Sequence, residues 1–111
     1  MNTATIKKII KNGGATLDAS GRSVSFSSGY QVSRRDCYAI PVDKVNAITR
    51  AVVKLFKELK RGDFVGLWID DGKIYIDISV HVKKREHAER LGRALLQISI
   101  RDWAINDNYN L

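Results

Sequence analysis

The 111-residue sequence contains only one cysteine and two histidines. Cys37 has no partner within the chain for a disulfide bond, which fits a reducing compartment. A zinc site of about four cysteine or histidine ligands is not available from these residues. Apolar runs are also short: none approaches the roughly 18 residues of a membrane span, and the opening residues lack the apolar stretch of a signal peptide. We therefore expect a cytoplasmic protein with no metal, no cofactor and no membrane partner.

What the chain does contain is ordinary apolar content and an excess of positive charge. Hydrophobic residues make up 44% of the sequence and charged residues 28%, which is typical of folded globular proteins. The length predicts a single domain over residues 1–111. The formal net charge of +7 favours a polyanion or an acidic protein surface as partner.

The strongest structural pattern is a β-hairpin over residues 63–82. Asp71-Gly72 has the residue types of a two-residue type I′ turn. A turn there pairs Trp68 with Tyr75, and side chains alternate between the two faces on either side of that pair. One face is aliphatic and carries Val65, Leu67, Ile69, Ile74, Ile76, Ile78, Val80 and Val82. The other carries Phe64, Trp68, Tyr75, Asp77, Ser79 and His81.

Helical spacing predicts two long helices and a short N-terminal one. The clearest covers residues 43–60, with Asp43 as N-cap and Val52 and Leu55 on its buried stripe. A second helix is predicted over residues 83–96, with Leu91 facing inward. Residues 1–14 form a helical segment that is either a docked or frayed terminal turn or an arm that binds nucleic acid.

Strands are predicted in the remaining segments. Residues 15–42 alternate as strands, with a turn at Arg34-Arg35-Asp36, and residues 97–103 form a last strand in which Ile98 and Ile100 share one side. Residues 104–111 are expected to form a loose tail. This order predicts an α+β fold, an antiparallel sheet of four to six strands with two helices packed on one face, most economically in a split βαβ (ferredoxin-like) arrangement.

The first long helix carries a stripe of cations opposite its apolar side: Arg50, Lys54, Lys57 and Arg61. Glu58 is the only acidic neighbour, so the stripe is largely unpaired. The second long helix differs, because Glu86 precedes Arg90 and Glu89 precedes Arg93 at ion-pair spacing. The basic stripe is therefore either a solvated helix face or a contact surface for nucleic acid or an acidic protein.

The polar face of the hairpin offers two further hypotheses. Phe64, Trp68 and Tyr75 form either an exposed platform for stacking bases or a surface covered by the N-terminal segment, by Trp103 or by the second subunit of a homodimer. Asp77, Ser79 and His81 resemble a catalytic set, but same-face neighbours on a strand lie about 7 Å apart, whereas a nucleophile and its base need roughly 3 Å. We therefore predict no catalytic residues, no enzyme activity and no small-molecule substrate.

Three motifs carry a resemblance to a known family. They are Gly29–Ser33 (GYQVS), the hairpin segments 65–68 and 71–79, and Gln97–Trp103 (QISIRDW). In this order they resemble a family of small, mostly uncharacterised proteins encoded on phages, plasmids and integrative elements of Firmicutes. The chain departs from that pattern at Leu96, where the family usually has asparagine.

The resemblance implies an accessory gene of a mobile element, a class that includes anti-CRISPR inhibitors. The resulting hypothesis is a non-enzymatic binding protein that inhibits a host nucleoprotein defence complex. The alternative is a basic nucleic-acid-binding accessory protein of a phage or plasmid.

Overall fold

Three helices and six strands form the protein, and the computed structural model describes all of residues 1–111. In chain order they are α1 (Thr3–Lys11), β1 (Gly14–Leu17), β2 (Tyr30–Pro41), α2 (Val45–Phe56), β3 (Asp63–Asp70), β4 (Lys73–Val82), α3 (Arg85–Ala94), β5 (Ser99–Asp102) and β6 (Asp107–Asn110). The strands make one antiparallel sheet in the order β1-β3-β4-β2-β5-β6. The predicted α+β class and antiparallel sheet are confirmed, but three helices pack on the sheet instead of two. None of the helices is long and apolar enough to cross a membrane.

The β3–β4 hairpin has the predicted register. Asp71 (φ 48°) and Gly72 (φ 75°) both adopt the left-handed conformation that a type I′ turn requires. Trp68 pairs with Tyr75, and each pair outward from the turn follows as expected. The sorting of faces follows from that register, and Ile76 on the aliphatic face is 1% exposed.

The main core lies between the aliphatic face of the sheet and helices α1 and α2. Ile6 of α1 is fully buried there with Val52 and Leu55 of α2. Asn2 caps α1 because its side chain accepts a hydrogen bond from the Thr5 backbone N–H at 2.9 Å. The N-terminal segment is therefore a docked helix, and it is the third helix on the sheet, where the predicted fold packed only two.

Helix α2 is shorter than predicted at both ends. Asp43 is not its N-cap: the helix begins after Lys44, whose side chain makes no capping hydrogen bond. The backbone N–H of Lys44 donates to the Pro41 carbonyl in the turn that leaves β2. At the other end, Glu58 donates to Leu55 in a tightened last turn. The remaining residues up to β3 form turns, so Arg61 lies outside the helix.

Helix α3 packs on the same side of the sheet over a second, smaller core. Val32, Ala88 and Ile100 are buried in this core, whereas Leu91 is only half-buried and is not the core residue we predicted. A Cβ added at Gly92 would lie 2.6 Å from a methyl group of Leu111. Leu111 thus packs on Gly92, which is buried on this helix together with Ala88.

The predicted turn at residues 34–36 is wrong. Strand β2 continues from Tyr30 to Pro41, and its register against β4 shifts between Ser33 and Arg35 and again between Asp36 and Tyr38. Two β-bulges absorb the extra residues without reversing the chain. A charged triplet between apolar runs has the composition of a turn, but here the bulges free Arg34 to reach Asp63.

The expectations for the two outer parts of the sheet also need correction. Residues 104–111 are not a loose tail, because β6 pairs with β5 and Leu111 donates to the Ile98 carbonyl at 2.9 Å. Ile98 is 85% exposed, so it does not share the buried side of Ile100. Between β1 and β2 the chain makes only one isolated bridge, Leu17 to Ser23, and Phe26 lies in a loop.

Candidate functional site

Helices α1 and α2 lie against each other and present an outer surface that carries positive charge only. Neither helix contains an acidic residue. We define the cationic helix surface by its exposed members, which are Lys7, Lys8, Lys11, Arg50, Lys54 and Lys57. The lysines of α1 were known from the sequence, but their place on the same layer of two packed helices as the α2 cations depends on the docking of α1.

The four predicted stripe residues are all exposed, but they do not all lie on one helix face. Arg50 and Lys54 lie on α2, Lys57 is its C-cap residue, and Arg61 lies in the turns before β3. None of the four takes part in an ion pair, since the ion pairs of the structure involve other residues. Their acidic neighbour Glu58 pairs with Arg35 at 3.3 Å. The stripe is therefore free of internal compensation.

Helix α3 has the opposite arrangement. Glu89 accepts from Arg85 at 3.0 Å and lies 3.6 Å from Arg93, and the Tyr109 hydroxyl donates to it at 3.1 Å. These hydrogen bonds lower the pKa of Glu89. The predicted pairing of Glu89 with Arg93 is present, whereas no ion pair joins Glu86 to Arg90.

The predicted aromatic surface divides into a covered end and an exposed end. Phe64 contacts the edge of Phe26 at 5.5 Å between ring centroids, and Phe26 also meets Trp103 at 5.5 Å. Trp68 remains 48% exposed and stacks on Tyr75 at 4.3 Å. Trp103 is thus one of the predicted covering groups, while the contribution of Phe26 was missed because the loop had the alternation of a strand.

The aromatic surface and the cationic helix surface lie on opposite faces of the sheet. Strand alternation directs Trp68 away from the face that carries the helices, because its neighbours Leu67 and Ile69 pack in the helix-covered core. The structure therefore does not bring the stacking platform and the basic stripe together.

The face of the sheet without helices forms a cleft of about 440 Å³. Residues from all six strands line it, together with Trp103. On its floor the Gln31 amide donates to the Ser79 hydroxyl at 2.7 Å and accepts from the Thr16 hydroxyl at 3.1 Å. This cleft was not predicted from the sequence, because its residues are distant in the chain and mostly small and polar.

Two buried polar atoms in this cleft lack a hydrogen-bond partner: Oδ1 of Asp77 and Nε1 of Trp103. Asp77 lies between Gly66 on β3 and Asp36 on β2, its direct partners in the sheet. Burial, and then the charge of Asp36, raise the pKa of Asp77 to about 7. The one sequence signal was the predicted pairing of Gly66 with Asp77, since a Cβ at Gly66 would collide with this carboxylate.

The Ser79 and His81 side chains make hydrogen bonds to groups other than each other. The His81 Nε2 atom lies 2.9 Å from the Ser28 carbonyl oxygen, and its ring stacks on Phe26 at 3.8 Å. The Ser79 hydroxyl bonds to Gln31. No hydrogen bond joins Ser79 to His81, so the arrangement lacks a nucleophile and base in contact.

No family model, curated protein or solved structure matches the chain. The two surfaces themselves are therefore the basis for inferring function. One is a layer of unpaired cations on helices, and the other is a polar cleft on the open face of the sheet. Both can bind a partner by electrostatics, hydrogen bonding or stacking.

Proposed function

We propose that the protein is a non-enzymatic binding protein of a mobile genetic element, which inhibits a host nucleoprotein defence complex through its cationic helix surface. The observation that carries the proposal is the absence of carboxylates from α1 and α2, whose exposed lysines and arginine have no ion-pair partner within the chain. Cations that are not compensated internally attract an external polyanion and raise its rate of association. The mobile-element context comes from the sequence resemblance.

The position of these cations favours a contact role over a structural one. Arg50 and Lys54 project from the side of α2 opposite Ile48, Val52 and Leu55, which are buried. The core beneath the surface is therefore independent of the charges above it. A partner can be gained or lost through this surface without a change in fold.

A second candidate function is direct binding of nucleic acid as an accessory protein of a phage or plasmid. The same cations support it, because phosphate contacts by lysine and arginine supply most sequence-independent affinity. Since the Trp68–Tyr75 stack lies on the other face of the sheet, this candidate uses phosphate contacts from the helices without base stacking beside them.

We also propose that strands β2 to β5 with α2 and α3 form a split βαβ (ferredoxin-like) unit. The support is the order β3-β4-β2-β5 within the sheet, in which β4 lies between the two strands that α2 connects. Strands β1 and β6 then extend this unit at its two edges.

The test is capture from a lysate of the host, followed by an activity measurement on the captured complex. Tagged wild-type protein is expected to retain a nucleoprotein complex and to inhibit its nucleic-acid binding or cleavage. Reversal of the predicted stripe (Arg50, Lys54, Lys57 and Arg61 to glutamate) is expected to abolish capture and inhibition while the protein stays folded. Binding should also weaken with added salt.

The matched control reverses four cations near or on α3: Lys83, Lys84, Arg90 and Arg93. It changes the net charge by the same amount and is expected to retain inhibition. Equal inhibition by both variants would contradict the assignment of the surface. Retention of purified DNA or RNA without any protein partner, at physiological salt, would support the accessory protein instead.

A further inference from the structure

We infer that the open-face cleft is a binding site for a planar nitrogen heterocycle, namely a nucleobase. This site is separate from the cationic helix surface, because it lies on the opposite face of the sheet. Its ligand is identified by the hydrogen-bonding groups that the cleft leaves unused and by the aromatic rings at its walls.

The first argument is the pair of unpartnered atoms. A buried polar group without a hydrogen bond costs about 1–3 kcal/mol, and here two residues that line one cleft each hold such an atom, Oδ1 of Asp77 and Nε1 of Trp103. The carboxylate oxygen accepts a hydrogen bond and the indole N–H donates one. A ligand that satisfies both must therefore carry both an N–H donor and an acceptor.

The second argument concerns shape. Trp68 and Trp103 both line the cleft, and Trp68 presents an indole that is 48% exposed and stacked on Tyr75. The Arg101 guanidinium lies over the Trp103 ring at 4.5 Å, so Trp68 supplies the exposed indole, and a flat aromatic wall favours a planar ligand by stacking. The volume of about 440 Å³ lies in the range of small-molecule sites, roughly 300–1,000 Å³, and accommodates a base with its sugar.

The third argument is that the backbone makes room for the carboxylate. Gly66 lies beside Asp77, and any side chain at that position would occupy the space of Oδ1. The fixed Gln31–Ser79 and Thr16–Gln31 hydrogen bonds hold the floor around it. The pKa of Asp77, raised to about 7 by burial and by Asp36, agrees with a group that gains a hydrogen bond when a ligand binds.

Peptide amides also carry a donor and an acceptor, but they lack a ring face that would stack on the indoles. The lining holds Asp36 and Asp77 together with Arg101, so its charge does not select a phosphate group, and the ligand is identified by its ring face and by the two unpartnered atoms. These features favour the base itself, whether it belongs to a free nucleoside or to an unpaired position in a strand.

The experiment titrates the purified wild-type protein with adenosine, guanosine, cytidine and uridine, and follows the two indole N–H signals by NMR. Saturable binding of at least one nucleoside is expected, with a larger shift for the Trp103 N–H than for that of Trp68. N-Acetylglycine amide serves as a non-aromatic amide probe. If no nucleoside saturates, or if the amide binds as tightly as every nucleoside, the proposal is wrong and the cleft is a solvated or peptide-binding surface.

Two variants locate the site. Trp103→Phe keeps the ring and removes the N–H, and Asp77→Leu removes the carboxylate; each is expected to weaken nucleoside binding by about 3–10-fold. The matched control Asp70→Leu removes an exposed carboxylate at the hairpin turn and should leave affinity unchanged. Equal loss in the control, or no loss in either cleft variant of a folded protein, would overturn the assignment.

The source of the base is distinguished by a third comparison. A short single-stranded oligonucleotide is expected to compete with the nucleoside, whereas a blunt duplex of the same sequence is not, if unpaired bases in strands are a source. If the nucleoside binds and the single-stranded oligonucleotide does not compete with it, the ligand is a free nucleoside. Neutralising Arg50 and Lys54 should leave nucleoside binding unchanged. The tests of the cationic helix surface and of the cleft can therefore fail independently of each other.

Discussion

The two faces of the sheet use hydrogen-bonding and charged groups in opposite ways. Beneath the helices the sheet is aliphatic, with side chains such as Ile76 and Val65 at 1% exposure or less, and the charges lie outside on α1 and α2. On the open face the sheet is polar, and Asp77 and Trp103 each keep a buried polar atom without a partner. The helix-covered face therefore supplies the stabilising core, and the charges on α1 and α2 are free to bind a partner. The open face keeps hydrogen-bonding groups at its centre that no other group in the protein uses.

The β3–β4 hairpin contains two buried aspartates, Asp63 with hydrogen-bond partners and Asp77 with an unpartnered oxygen. Asp63 accepts two hydrogen bonds from Arg34, at 3.2 and 2.7 Å, and one from the Lys60 N–H at 2.8 Å. Burial alone would raise the pKa of Asp63, but these bonds lower it overall. Asp77 has no cation beside it in the way that Asp63 has Arg34, and burial together with the charge of Asp36 raises its pKa to about 7 instead. Partnered groups stabilise the fold, and the unpartnered Oδ1 of Asp77 is a group that the proposed nucleobase site would use.

The largest expected effect is on the covered face. Ile76→Ala leaves a cavity in the main core and should lower the free energy of unfolding by about 2–5 kcal/mol. Leu91→Ala, in the half-buried position on α3, should lower it by roughly 1 kcal/mol. Urea denaturation checks both. Similar losses would show that the two cores contribute equally.

The next expected effect is a loss of stability when Asp63 loses its arginine partner. Arg34→Gln leaves Asp63 with a weaker donor set and should lower the free energy of unfolding by about 1–3 kcal/mol at pH 7. The folded-state pKa of Asp63 lies below its unfolded value, so its contribution is present above the unfolded pKa and is lost as pH falls through the folded pKa. The difference between wild type and variant should therefore shrink in acid, and a constant difference would contradict the ion pair.

The unpartnered aspartate should show the opposite pH dependence. The folded-state pKa of Asp77, about 7 against the ordinary value of 3.8, means that the folded state binds more protons between these pH values. Its contribution to stability therefore decreases as pH rises from about 4 to 7, by at most about 4 kcal/mol. Asp77→Leu should remove this decrease, as measured by thermal unfolding across that range, whereas Asp70→Leu should leave it in place.

The smallest expected effect is a difference in stability between neutralising the charges of α3 and neutralising those of α2. Neutralising Arg85 and Arg93 to glutamine removes both arginine partners of Glu89 and leaves its hydrogen bond from Tyr109, so the free energy of unfolding should fall only slightly, because exposed ion pairs contribute little. Neutralising Arg50 and Lys54 removes no ion pair and should leave the free energy of unfolding unchanged. A loss of the same size in both variants would show that the charges of α2 are also structural.

Local patterns were sufficient for the hairpin, because turn chemistry and alternation both act over a few residues and agree on one register. They were insufficient where a non-local contact decides the structure. The bulges in β2 depend on pairing with β4, the docking of α1 depends on a core that includes Ile6, and β6 depends on pairing with β5. Amphipathic spacing alone gave neither the order of the strands nor the number of helices that pack on the sheet.

The two candidate sites also differ in whether local sequence patterns indicate them. The exposure of Arg50 and Lys54 follows from their position opposite a buried stripe, which the sequence shows directly. The cleft required three distant segments, those carrying Gln31, Asp77 and Trp103, to meet across a curved sheet. Nothing in the local sequence around Trp103 indicates that its N–H is buried without a partner.

The most direct test of the cationic helix surface is elution from immobilised heparin, a polyanion, by a salt gradient. The two neutralised variants, at Arg50 and Lys54 on α2 and at Arg85 and Arg93 on α3, have the same net charge, so a difference between them reports where the cations lie. We expect the α2 variant to elute at clearly lower salt than wild type, and the α3 variant to elute close to wild type. Elution of both variants at the same salt concentration would show that only net charge matters and would contradict a contact surface on α1 and α2.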